Sequence, residues 1–115
     1  ELLDASTRAR LNADVPVGPS LSGGLDSSTI VGVVAAQRGR CSFTQNAFSA
    51  TFDDDPAISQ GPQIDDVVRH TGVQSFRVRP TAAGLMAESQ EVHFHQEEPF
   101  LSASIYLQWC VARLA

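Results

Sequence analysis

With 115 residues and no lysine, the chain carries a net charge of −5, and its eight basic residues are all arginines scattered along it. A hydrophobic fraction of 43% and a charged fraction of 18% suit a globular domain. The missing basic stripe argues against a nucleic-acid partner, and the missing lysine excludes a Walker A phosphate loop. No apolar run nears the roughly 20 residues of a membrane span and no signal peptide is visible, so the expectation is a cytoplasmic protein with no membrane partner. The length allows one domain at most. Both ends read as interrupted helices and there is no starting methionine, which predicts a piece of a longer protein. Truncation leaves a sheet edge or groove through which a homo-oligomer could form.

In chain order, Leu2 to Asn12 reads as a helix, with Leu2, Leu3 and Leu11 among alanines and arginines. After Pro16 a short strand is expected over Val17 to Leu21, stopped by Gly23 and Gly24. Residues 27 to 38 hold Ile30, Val31, Val33 and Val34, whose branching favours a strand by propensity alone. A helix buried against a sheet is the better reading. Asp26 or Ser27 can cap it, Gly32 and the alanines allow close approach, and Gly39 can end it.

Asn46 to Phe52 alternates Phe48, Ala50 and Phe52 and predicts a second strand, stopped by Asp53-Asp54-Asp55-Pro56. Gln63 to His70 has helical spacing and is closed by Gly72. A third strand over Ser75 to Val78, a helix from Ala82 to Val92, a polar loop containing Pro99 and a last helix with Ile105, Leu107, Val111 and Leu114 complete the pattern. Alternating strands and helices predict parallel strands joined by crossovers, with ligands bound beyond the strands' carboxyl ends.

One stretch falls at such an end: Ser20-Leu21-Ser22-Gly23-Gly24-Leu25-Asp26-Ser27-Ser28. Paired glycines let the backbone approach an anion and adopt positive φ, hydroxyls supply donors, and a helix amino terminus adds unpaired N–H groups and its dipole. The competing reading is an ordinary strand-to-helix turn with a capping side chain.

Ser22-Gly23-Gly24-Leu25-Asp26-Ser27 resembles the pyrophosphate loop of ATP pyrophosphatases. The flanks, Asp14-Val15-Pro16-Val17-Gly18 before it and His95-Gln96-Glu97-Glu98-Pro99-Phe100 with Ser104-Ile105-Tyr106 late in the chain, resemble the synthetase domain of glutamine-hydrolysing asparagine synthetases. The resemblance implies a Rossmann-like three-layer α/β/α fold with a parallel sheet, of the adenine nucleotide α hydrolase type, here truncated. It implies formation of β-aspartyl-AMP from ATP and aspartate, then amidation by ammonia from a separate glutaminase domain that is absent here. By the same resemblance Ser22, Gly23, Gly24 and Ser27 cradle pyrophosphate, Leu21 and Ala50 meet the nucleoside largely through backbone, and Asp26 holds Mg2+ against the phosphates. The chain departs from the family at Gln60, where an acid is common, and at Leu101, where a small residue is common. A further glycine-rich acidic loop and a lysine that assist adenylation would lie beyond Ala115, so the catalytic set is incomplete and the piece is expected to bind nucleotide without completing the reaction.

Other groups keep two readings. Glu98, Ser102 and Ser104 could face the acceptor substrate or cap the final helix. His93 and His95 with Glu97 and Glu98 could ligate a metal, but a polar helix end is preferred; Asp53-Asp54-Asp55 is read as an exposed loop before a cation site. Cys41 and Cys110 form no Cys-x-x-Cys pair and are read as free thiols of a reducing compartment. Alternative functions are a related amidotransferase or β-lactam synthetase acting on another carboxylate, and a non-catalytic nucleotide binder. Modification of tRNA by a related loop would call for basic patches and paired cysteines, and neither is present.

Overall fold

The computed structural model describes residues 1–37, 45–52 and 58–115. Two strands, β1 (Asn46–Ala50) and β2 (Gln74–Val78), pair in parallel from Asn46↔Gln74 to Ala50↔Val78. Around them lie helices α1 (Leu2–Arg10), α2 (Leu25–Ala36), α3 (Gly61–Thr71), α4 (Ala82–Gln96) and α5 (Ser104–Leu114). Gly39, Cys41 and the run Asp53 to Pro56 lie outside the described residues. Among the described residues no helix is long and apolar enough to cross a membrane.

Period-two alternation in β1 divides the core in two. Ala47 joins Leu21, Val31, Ile64 and Val73 in a cluster built with α2 and α3. Phe48 and Ala50 point the other way, towards α5. A second cluster of Val92, Tyr106 and Cys110, with Val78, Leu85 and Trp109 packed on it, joins α4 and α5 to the end of β2. Helices therefore cover both faces of the strands. Phe76, on β2, stacks on Phe48 at 5.5 Å and continues the apolar face.

The strand expected over Val17 to Leu21 is reduced to one parallel bridge, Ser20↔Phe48. Leu21 N–H donates to the Phe48 carbonyl at 2.8 Å, and Phe48 N–H to the Pro19 carbonyl at 3.1 Å. Pro16 and Pro19 carry no amide hydrogen, so the ladder cannot extend towards the amino end. Gly18 crosses the ring of Phe48 so closely that a Cβ there would stand 2.5 Å from Phe48 Cε2 and 2.9 Å from the Asn46 carbonyl.

Helix α2 wins over its β-branched composition because Val31 and Val34, one turn apart, are buried. It starts two residues earlier than expected and its N-cap is Gly24, with no side-chain cap from Asp26 or Ser27. Gly32 does not serve a close approach, since a Cβ at that position would meet no heavy atom within 4 Å. The end of α2 is tied to α1 by Gln37, whose amide donates to Asp4 Oδ1 at 2.8 Å. Gly72 closes α3 as expected, at φ 65°, with its N–H on the Val68 carbonyl. Helix α4 runs four residues past the expected Val92, because no breaker intervenes before Glu97, which stops it at φ 62°.

Close approach does occur at Gly84 of α4. A Cβ there would lie 2.5 Å from Tyr106 Oη and 3.2 Å from Thr81 Oγ1, and Thr81 Oγ1 caps α4 by accepting from Gly84 N–H at 3.0 Å. The two glycines make opposite predictions in chemical denaturation. Gly84→Ala should lose about 1–3 kcal/mol by overpacking, whereas Gly32→Ala should gain about 0.5–1 kcal/mol from helix propensity and chain entropy.

Tyr106 is the chain's single tyrosine. Burial, then the neighbouring Cys110 and Glu88, push its phenol well above the usual value. A raised native pKa favours the protonated form in the folded state. The resulting stabilisation is full below the unfolded pKa of about 10 and is lost as pH climbs past it. Stability should therefore fall above about pH 10, Tyr106→Phe should flatten that fall, and tyrosinate absorbance should rise together with unfolding.

Candidate functional site

The turn from Leu21 to Ser27 is built by a bend that only glycine takes easily. Gly23 sits at φ 81°, in the left-handed region where a side chain costs roughly 1–2 kcal/mol. A Cβ on it would also stand 3.0 Å from Gln63 Cβ and 3.2 Å from the Gln60 carbonyl. Gly24 is extended, at φ −73° and ψ 167°, and a Cβ there would meet only Ser22 Oγ at 3.4 Å. The first glycine is thus required by conformation, and the second leaves the amino end of α2 open.

Two serines hold the bend. Ser22 N–H donates to Ser27 Oγ at 3.2 Å, the two hydroxyls share a bond of 3.0 Å, and Ser27 O–H donates to the Gly24 carbonyl at 3.2 Å. Gly24 N–H leans on Ser22 Oγ at 3.4 Å. Because no side chain caps α2, the N–H groups of its first turn remain available and the positive end of its dipole faces the turn. Asp26 stands in that first turn and is exposed.

Beside the turn opens a cavity of about 690 Å³. Leu21, Ser22 and Ala50 line it from the strand ends, Phe48 from the sheet, and Ser104, Leu107, Gln108 and Val111 from α5. Its size suits a small organic ligand, and its walls are mostly apolar with a few polar groups, as such pockets usually are. Leu21 lines the cavity while being wholly buried in the core.

The structure brings Leu21, Ser22, Ala50 and Ser104 onto one cavity and places Gly23, Gly24, Asp26 and Ser27 on the adjoining turn and first turn of α2. Ser102 bonds to the Ser104 hydroxyl at 2.9 Å and accepts from Ser104 N–H at 3.2 Å, supporting the start of α5. Glu98 is exposed just beyond α4. His93 stacks on Phe100 at 4.6 Å and His95 lies 5.0 Å from Trp109, so each ring has an aromatic neighbour. Among the described residues no group of three or more His, Cys, Asp or Glu is placed to hold a metal. Gln60, Gln108 and Gly18 also line the cavity. For Gly18 and Gln60 the adjacency to Phe48 and Gly23 is a tertiary fact; the sequence marked Gly18 only as part of the flank before the loop and Gln60 only as a departure from the family.

The profile described as asparagine synthase matches residues 1–115. The chain belongs to the asparagine synthase family. Relatives include amidase chyE of Penicillium rubens, 29% identical over 108 residues, 85% of this chain and 16% of that protein. A protein described as glutamine-hydrolysing asparagine synthetase 2 of Methanocaldococcus jannaschii is 59% identical over 34 residues, 30% of this chain and 7% of its own. A glutamine-hydrolysing asparagine synthetase described in Schizosaccharomyces pombe is 57% identical over 37 residues, 32% of this chain and 7% of its own. The chain spans only 7 to 16% of the length of these curated relatives.

The two glycines of the family loop separate by substitution. Gly23→Ala should cost about 1–3 kcal/mol in denaturant titrations, from left-handed strain and contact with Gln60 and Gln63. Gly24→Ala should stay within about 1 kcal/mol of the parent, because its φ is ordinary and its space is open.

Proposed function

We propose that the complete protein carrying this domain activates a carboxylate with ATP and converts it to an amide. The observation that carries the reading is the uncapped amino end of α2 beyond left-handed Gly23, at the mouth of an apolar cavity, in a chain of the asparagine synthase family. The pyrophosphate would lie on Ser22, Gly23, Gly24 and Ser27, where backbone N–H groups and the helix dipole favour negative charge. The nucleoside would enter the cavity along the main chain of Leu21 and Ala50. This is the ligand position that a Rossmann-like three-layer sheet offers at its strand ends.

In the reaction so proposed, a carboxylate oxygen of the acceptor attacks the α-phosphorus of ATP. The bond from that phosphorus to its bridging oxygen breaks, and pyrophosphate departs. Ammonia, supplied by a glutaminase domain, then attacks the acyl carbon and AMP leaves with its oxygen. With aspartate as acceptor the product is asparagine. Within residues 1–115 the share of this work is nucleotide binding: the chain positions the triphosphate and supplies donors as charge grows on the departing group.

The family reading implies magnesium, and the residues present suit it. Asp26 is an exposed carboxylate within the loop, in the first turn of α2, and magnesium is commonly held by one or two carboxylates together with substrate phosphates. Bound there, the ion would offset the repulsion between Asp26 and the phosphate oxygens. Ser104, on the cavity wall, with Ser102 and Glu98 nearby in sequence, is proposed to face the acceptor.

A second reading has support of its own. Similarity to amidase chyE extends over 85% of the chain, against about a third for either asparagine synthetase. An acceptor carboxylate other than aspartate is the alternative, since the relative matched over most of the chain is not described as an asparagine synthetase. Exchange of labelled pyrophosphate into ATP by the full-length protein decides between them. Aspartate-dependent exchange supports the first reading, exchange with a different carboxylate alone supports the second, and none with any carboxylate overturns both. Asp26→Asn should lower the exchange rate by about 100-fold, with little change in thermal stability because the side chain is exposed.

A further inference from the structure

A second cavity, of about 340 Å³, opens on another flank of α5, between that helix, the amino-terminal half of α4 and the chain leaving β2. Among the described residues it shares no lining with the cavity beside the Gly23 turn. Its charged walls are Arg79 after β2, Arg113 of α5 and Glu88 of α4. Two guanidinium groups thus face one carboxylate, a local reversal of sign in a chain of net charge −5. Val78, Pro80 and Leu114 add apolar surface beside them.

The polar groups are held in place. Arg113 Nη1 donates to Glu88 Oε1 at 2.9 Å, and its guanidinium carbon stands 5.5 Å from the centre of the Trp109 ring. A guanidinium carries five N–H donors in a rigid fork, so one bond to Glu88 leaves others for a second acceptor. Thr81 Oγ1 accepts from Gly84 N–H at 3.0 Å and keeps its own hydrogen to donate. Tyr106 Oη lies against Gly84. Burial, then Cys110 and Glu88, keep that phenol protonated, so it adds no negative charge to the cavity.

We propose that this cavity binds a small aliphatic monocarboxylate. The carboxylate takes the remaining N–H groups of Arg113 with Thr81 as a further donor, Arg79 adds positive potential, and the hydrocarbon lies on Val78, Pro80 and Leu114. Arginine's planar fork matches the two oxygens of a carboxylate. An inorganic oxyanion leaves the apolar wall uncovered, and a dicarboxylate brings a second negative charge against Glu88. The site stands apart from the Gly23 turn and does not depend on nucleotide binding there.

The test titrates butyrate against the full-length protein by saturation-transfer NMR, with succinate and inorganic phosphate as competitors. Butyrate should bind saturably, and each competitor should bind about tenfold or more weakly. Arg113→Gln should weaken butyrate about tenfold or more. Arg113→Lys, which keeps the charge and loses the fork, should weaken it by about three- to fivefold, and it carries the comparison alone if Arg113→Gln fails to fold. A merely structural arginine would change the melting temperature and leave the dissociation constant of butyrate in the folded protein as it was. No saturable binding by the parent, binding unchanged in the folded variants, or succinate or phosphate binding as tightly as butyrate overturns the proposal.

Discussion

The turn at Gly23 is the constraint from which the rest of the site follows. A chain leaving the bridge at Ser20 must reverse into α2 within a few residues, and it does so through one left-handed residue. That reversal holds its place because Leu21 N–H bonds to the Phe48 carbonyl while the Leu21 side chain is sealed in the core. Burial of the leucine and the backbone bond act on the same residue, so the turn cannot shift along β1 without exposing Leu21. The helix after the turn then starts with its N–H groups open, and a fixed array of donors costs no reorganisation when charge develops in front of it.

The two-sided core explains why a cavity stands beside that turn. On one face α2 and α3 close over Ala47, a small side chain that allows dense packing. On the other, α5 packs on both strands and buries Tyr106 and Cys110 in a cluster with Val92 of α4. Space remains between Phe48 and the face of α5 that carries Leu107 and Val111. Gly84 sets how near α4 comes to Tyr106 on α5. The pairs Arg8–Asp4 and Arg69–Asp66 do little: they are exposed pairs within single helices, of a kind worth about 0–1 kcal/mol.

Family membership and substrate are separate matters for this chain. In the proposed reading the loop and its setting serve the handling of ATP, which enzymes acting on different carboxylates can share. Discrimination between acceptors arises where the acceptor is touched. Ser102 and Ser104 are engaged with each other at the start of α5, and the relatives matched are many times longer than this chain. That is the physical reason why the loop residues point to one chemistry while the acceptor is left to exchange measurements.

Much was legible in the amino-acid sequence. Gly23 and Gly24 between an apolar run and a helix, Gly72 as a helix stop, Phe48 and Ala50 alternating in β1, and the flanks of the loop all act through local conformation or a period of two, which one-dimensional patterns carry. Tertiary structure alone decided the rest. It reduced Val17 to Leu21 to a single bridge because of Pro16 and Pro19, put the α2 cap at Gly24, carried α4 on to Gln96, and assigned the close approach to Gly18 and Gly84 where Gly32 had been expected. It also set Gln60 and Gln108 around the same space. Residues 48 apart in the chain have no local signal of adjacency; only the packing of α3 and α5 around β1 brings them there.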